Sequence, residues 1–126
     1  MGSLNKVLLI GNLGRDPEIR YTNAGSAVAN YSIATTDRWT SKNGDKQERT
    51  EWHDIVAFDR LGDLCQNYLT AGSSIHVEGR LQTKSWEDPQ GLKKYRTEVV
   101  ATAIQFLDSK SKKNEEPEIS DNNPLR

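Results

Sequence analysis

Apolar residues recur along this chain in two rhythms, the strand period and the helix period, and the places where the rhythm changes outline its elements. Lys6-Val7-Leu8-Leu9-Ile10-Gly11-Asn12-Leu13 is a nearly continuous apolar run. It is too short for an ordinary helix and is bounded by glycine, which predicts a strand. Gly14-Arg15-Asp16-Pro17 breaks the run, and Thr22-Asn23-Ala24-Gly25 reads as a turn. From Ala27 to Thr36 small and large residues alternate, with Tyr31 and Ile33 on one face. Ser41-Lys42-Asn43-Gly44-Asp45 is a loop tip, and Thr50 to Phe58 is a third strand joined to the second by a hairpin.

The period then lengthens. Leu61, Leu64, Cys65, Tyr68 and Leu69 form a helical stripe, and Gly72 follows as a C-terminal stop. Alternation returns with Ile75, Val77, Gly79 and Leu81, a half-buried strand in which Gly79 points to a bulge or sharp bend. Asp88-Pro89-Gln90-Gly91 is a hairpin loop, and Tyr95 to Leu107, rich in Val, Thr and Ala, is the last strand. Five strands with one short helix between the third and fourth fit an all-β, closed oligonucleotide/oligosaccharide-binding (OB) barrel. A five-stranded ferredoxin-like or open α+β sheet is the rival.

Composition divides the chain. Between residues 108 and 126 only Ile119 and Leu125 are large apolar residues, so this segment cannot offset the entropy of ordering and is expected to be a disordered tail. The folded domain is then residues 1–107. The whole chain of 126 residues carries 17 basic and 18 acidic residues, and the part before residue 108 holds 13 of each. A generic nucleic-acid binder is strongly basic, so any cationic surface here must be local. The single cysteine excludes an internal disulfide framework and a Cys-rich zinc site. No apolar run reaches the length of a membrane span, and Met1-Gly2-Ser3-Leu4 leads straight into the first strand with no signal or transit pattern. A soluble intracellular protein that needs no cofactor or metal is expected.

Enzymatic readings find little support. His53 and His76 lie on strands outside any ligand motif, the carboxylates are interspersed with Lys and Arg, and Gly11-Asn12-Leu13-Gly14 lacks the third glycine and following helix of a dinucleotide site. The tryptophans are more informative. Trp39, Trp52 and Trp86 all sit among polar and charged residues. A lone tryptophan is more often core or rim packing; three in hydrophilic company tip the balance toward binding. Strand parity puts Trp52, Asp54, Val56 and Phe58 on one face, with Trp52 and Phe58 about 20 Å apart, a spacing suited to separate bases. Every base offers a π-face, so aromatic platforms bind single strands without reading sequence, while nearby cations track the phosphates. Arg15, Arg20, Arg38, Lys42, Arg60, Lys84, Lys93, Lys94 and Arg96 are candidates. An oligosaccharide would also use exposed tryptophans, so a carbohydrate-binding module stays open at this point.

Several motifs in order then carry a resemblance. Leu4-Asn5-Lys6-Val7 through Asn12-Leu13-Gly14-Arg15-Asp16-Pro17-Glu18, Arg20-Tyr21 with Ala27-Val28-Ala29-Asn30, Thr50-Glu51-Trp52-His53 with Phe58, Tyr68-Leu69 with Gly72-Ser73, Val77-Glu78-Gly79-Arg80-Leu81, and Trp86 with Tyr95 to Val100 cover nearly the whole body. The chain resembles the bacterial-type single-stranded-DNA-binding protein family. The resemblance implies an OB barrel assembled as a homotetramer, wrapped by single-stranded DNA and acting in replication, recombination and repair in the bacterial cytoplasm, at the nucleoid. Trp39, Trp52, Phe58 and Trp86 match the family's stacking positions. Arg20, Arg60, Lys84 and Lys94 match basic positions near the DNA path, and His53 a position of subunit contact.

Departures from the pattern sharpen the expectation. Asp54 follows the Trp-His pair where a basic residue is common, Thr70-Ala71 replaces a basic segment, and Ser85 precedes Trp86 where Lys is common. Weaker phosphate attraction and a shallower salt dependence than in a basic relative are expected. The chain closes with Ile119-Ser120-Asp121-Asn122-Asn123-Pro124-Leu125-Arg126 instead of the family's acidic tip, so recruitment of partner proteins by that route is not expected. The competing functions are a primosome-type OB protein, an OB-fold nuclease and a carbohydrate-binding module. The first generally lacks this set of tryptophans, and the second needs clustered carboxylates or a metal site.

Overall fold

The computed structural model describes residues 2–108. The tail expected over residues 108–126 lies, apart from Asp108, outside them. The elements run β1 (Val7–Leu13), β2 (Glu18–Tyr21), β3 (Ala27–Thr40), β4 (Lys46–Phe58), α1 (Asp59–Tyr68), β5 (Ser74–Glu87) and β6 (Lys93–Phe106). The strands hydrogen-bond in the order β1-β5-β6-β4-β3-β2, and β1 also pairs with β3, which closes the sheet. All neighbours are antiparallel except β4 and β6, which run parallel through Ile55↔Val99 and Val56↔Val100.

β2 is the one strand that periodicity did not announce, since Glu-Ile-Arg-Tyr has a single aliphatic residue. It does not add a sixth stave. Along one edge of β3, Leu13 of β1 faces Ile33, and Glu18 of β2 then faces Asn30. β1 and β2 therefore serve as one strand interrupted by Gly14-Arg15-Asp16-Pro17, and the closed barrel has five staves, an OB fold.

Alternation builds the core. Ala29, Tyr31 and Ile33 of β3, Ile55 and Ala57 of β4, Ile75 and Val77 of β5, and Val99 and Ala101 of β6 point inward together with Leu13. The helix covers this core with Cys65, while Leu69, just past its end, fills the same cluster and Tyr68 packs tilted on Phe106 at 5.5 Å between ring centroids. The apolar stripe thus faces where its period predicted, with the helix beginning two residues earlier. The β5–β6 register shifts between Glu78 and Gly79, a bulge as the glycine implied. A Cβ on Gly79 would collide with the carbonyl oxygen of Val100. Only glycine lets the two backbones approach this closely where the sheet bends.

Two hairpins project beyond the core. The β3–β4 ladder continues to Thr40↔Lys46, and the β5–β6 ladder to Glu87↔Lys93. Both run further than the apolar pattern, because an antiparallel backbone ladder needs no alternation of side chains once its register is set. At the second tip Asp88 accepts hydrogen bonds through Oδ1 from the backbone N–H groups of Gln90 (3.0 Å) and Leu92 (2.9 Å), which fixes the turn.

Candidate nucleic-acid interface

The aromatic residues stand out of the fold. Trp39, Trp52, Phe58 and Trp86 are 49%, 57%, 43% and 48% exposed, although burial would stabilise each of them. Trp52 and Phe58 leave β4 on its outer face, opposite Ile55 and Ala57. Trp86 leaves β5 on the outer parity as well, in the row Gln82, Lys84, Trp86, with Arg96 and Lys94 beside it on β6. Trp39 has the opposite parity, that of Tyr31 and Ile33, and lies far along the β3–β4 arm opposite Gln47. There it borders a shallow concavity lined by Arg38, Thr40, Lys46, Gln47 and Glu48. The register therefore unites Trp52, Phe58 and Trp86 on one face and sets Trp39 on the other side of an arm.

Trp52 is oriented by the break after β1. A Cβ on Gly14 would fall 2.8 Å from Cη2 of the indole, so the ring lies against glycine backbone and is seated without being buried. Phe58 closes β4 immediately before α1. The next residue, Asp59, takes a left-handed backbone angle (φ 56°), an uncommon conformation for a residue with a side chain, and turns the chain into the helix.

Most of the cations carry a carboxylate partner. Arg20 pairs with Glu18 at 3.0 Å, Lys84 with Glu98 at 3.2 Å, Lys94 with Asp88 at 3.8 Å and Arg96 with Asp54 at 3.3 Å. Arg60 is exposed on the first turn of α1. Among the described residues Arg15, Lys42, Lys46, Arg80 and Lys93 form no ion pair. Asp54 holds more than Arg96: Ser32 Oγ donates to its Oδ1 at 2.9 Å. Glu98 entered the sequence reading only as part of the Tyr95 to Val100 motif and not as a site residue. It is 3% exposed, on the outer parity of β6 with Val100, and a charged residue entering the Val99-Val100-Ala101 run was the one signal that marked it. His53 points to the inner parity and shares a 2.8 Å hydrogen bond between Nε2 and Thr35 Oγ1.

What this face offers is stacking and charge. Among the described residues no group of three or more His, Cys, Asp or Glu side chains is placed to hold a metal ion. No described helix is long and apolar enough to cross a membrane.

Comparison with known proteins agrees with the geometry. The model of the single-strand binding protein family matches residues 4–107. The chain is 52% identical over 108 residues to single-stranded DNA-binding protein 1 of Chlorobaculum tepidum, covering 85% of this chain and 67% of that protein. It is 47% identical over 115 residues to the protein of the same name from Xylella fastidiosa, covering 90% and 85%. Among solved structures, a Plasmodium falciparum SSB in complex with ssDNA superposes with a TM-score of 0.79 at 35% identity, covering 86% of this chain and 98% of that one. A deletion mutant of the Thermus aquaticus single-stranded DNA binding protein gives 0.73 at 35% identity, covering 84% and 51%. With a closed OB barrel, a row of exposed aromatics beside paired cations and a family match across the whole barrel, this chain belongs to the single-strand binding protein family.

Proposed function

We propose that this protein binds single-stranded DNA independently of sequence, stacking bases on Trp39, Trp52, Phe58 and Trp86 and meeting phosphates with Arg20, Arg60, Lys84 and Lys94. The observation that carries the reading is the row of half-exposed aromatic rings on the outer face of the β4–β6 region, held there by strand parity and by the seat at Gly14. Stacking is available only to unpaired bases, so duplex is a poor ligand for such a row. Membership of the single-strand binding protein family supports DNA binding without catalysis, and the reading extends to coating and shielding exposed strands in replication, recombination and repair, in the cytoplasm at the bacterial nucleoid. The primosome-type, nuclease and carbohydrate readings have no comparable support.

Homo-oligomerisation, as a tetramer, belongs to the same reading. Leu8 and Ile10 on β1 are 59% and 62% exposed and follow Leu4, a strip of aliphatic surface that water solvates poorly. A second copy covering this strip, with His53 at a further subunit contact, accounts for it.

The test is intrinsic tryptophan fluorescence during titration with oligo-dT at low and high salt. Strong quenching at a fixed stoichiometry per subunit is expected. Absence of both quenching and binding overturns the reading. Sedimentation equilibrium of the same protein measures the oligomer, and a monomer at micromolar concentration removes that part.

A further inference from the structure

Two basic and two acidic residues meet on the outer face. Lys84 and Arg96 are direct cross-strand partners on β5 and β6. Two like charges in that position repel one another. Glu98 lies two residues further along β6 on the same face and pairs with Lys84 at 3.2 Å. Asp54 lies on β4, next to Glu98 in the parallel register that aligns Ile55 with Val99, and pairs with Arg96 at 3.3 Å. The two carboxylates hold two cations that would otherwise face each other uncompensated, between Trp86 on one side and Trp52 on the other.

The two ion pairs differ in kind. Asp54 is 38% exposed and keeps Ser32 as a hydrogen-bond donor when Arg96 swings away. Glu98 is 3% exposed, and its Oε2, although 3.2 Å from Lys84 Nζ, has no aligned hydrogen bond among the described residues. A carboxylate this buried is strongly disfavoured without a cation. Lys84 therefore stays on Glu98 and presents only its outer side to a ligand, whereas Arg96 is free to exchange one partner for another.

Resting on the single-strand reading above, we propose that Asp54 and Glu98 are positioning residues that act as internal counter-ions to Arg96 and Lys84, so that a phosphate entering between these cations exchanges or shares an ion pair instead of adding one. The thermodynamic consequence concerns salt. Binding of a phosphate to a free cation releases the counter-ion condensed on the DNA, at a slope of about −0.7 in log affinity against log salt for each phosphate neutralised on a single strand. When Arg96 leaves Asp54, the abandoned carboxylate takes up a cation from solution and cancels that release. The Lys84–Glu98 pair has no net charge and contributes little release of its own. The neutral body of the chain, with equal numbers of basic and acidic residues before the tail, is thus expressed at the binding face itself.

The experiment measures binding of a labelled oligo-dT by anisotropy over a tenfold range of salt, using the full-length chain and the Asp54→Asn and Glu98→Gln variants. Each variant is expected to steepen the slope by about 0.7, equivalent to about a fivefold greater loss of affinity across that range, and to tighten binding at the low-salt end. A purely structural role for these carboxylates changes stability and leaves the slope alone. The Asp54→Asn/Arg96→Gln and Glu98→Gln/Lys84→Gln double variants are expected to return the slope to the parent value. Unchanged slopes in folded single variants, or steep slopes that persist in the doubles, overturn the proposal. Asp54→Asn, at a half-exposed position, carries the test alone if Glu98→Gln does not fold. Failure of the parent chain to bind oligo-dT would instead overturn the single-strand reading.

Discussion

The two ends of the same strands do different work. At the barrel end of β3 the residues from Ala27 to Ile33 alternate buried and half-buried, whereas from Thr36 to Thr40 every residue is exposed. β5 repeats the change, with Ile75, Val77 and Gly79 buried and Thr83 to Glu87 exposed. The barrel end is held by interlocked aliphatic side chains. The arm end is held by the backbone ladder and by small polar pairs across it, Thr36 with Thr50 at 3.2 Å and Thr83 with Thr97 at 3.0 Å. Trp39 and Trp86 ride on the arms, and Trp52 and Phe58 on the outer surface of the barrel wall. The core end thus determines whether the chain folds, and the arms are free to spend their apolar area on a ligand.

The sharpest way to break this division is a cavity at the barrel end. Ile75, wholly buried, mutated to Ala is expected to cost about 2–5 kcal/mol in urea denaturation. Its DNA affinity, measured where the variant remains folded, is expected to stay near the parent value. An affinity loss as large as the stability loss would show that core and binding surface are not separable.

Trp86→Ala tests the converse. Thermal stability is expected to change little, because the ring is half exposed, while affinity for oligo-dT falls by about 1–3 kcal/mol, the worth of one stacked base. The same result is expected of Trp39→Ala if the far side of the β3–β4 arm belongs to the DNA path. An unchanged affinity would confine that path to the outer face of Trp52, Phe58 and Trp86.

Alkaline titration gives a smaller effect. Burial, with the neighbouring Cys65 thiol adding to it, pushes the Tyr31 phenol well above its ordinary range. A raised acid favours the fold while protonated, so its contribution is complete below the unfolded tyrosine value near 10 and disappears as pH rises toward the folded value. The parent is therefore expected to lose stability above about pH 10. Tyr31→Phe, lacking the ionisable proton, is expected to show a flatter alkaline limb in denaturant midpoints measured against pH. Equal slopes in both proteins would place the alkaline loss elsewhere.

The smallest effect is at the arms. Thr83→Val removes one exposed cross-strand hydrogen bond and is expected to change stability by less than about 1 kcal/mol by chemical denaturation. A larger loss would mean that the arm supports the barrel after all.

The amino-acid sequence by itself determined the staves and the helix. Period-two alternation in Ala29-Tyr31-Ile33 and Ile75-Val77, and period-three-to-four in Leu61-Leu64-Cys65-Tyr68, are local consequences of which side chains water excludes, and the bulge at Gly79 was legible because a missing Cβ is itself a local feature. The exposed tryptophans were legible too, from their polar neighbours. Tertiary structure decided what depends on partners distant in the chain. β2 is a strand because it follows β1 along the edge of β3, not because Glu18-Ile19-Arg20-Tyr21 looks like one. Ile55 meets Val99 only through the parallel closure of β4 on β6, and that closure sets Asp54 beside Glu98 and against Arg96. Hydrophobic period reports the side a residue faces, whereas the charge it meets there is fixed by register between strands, which no single strand encodes.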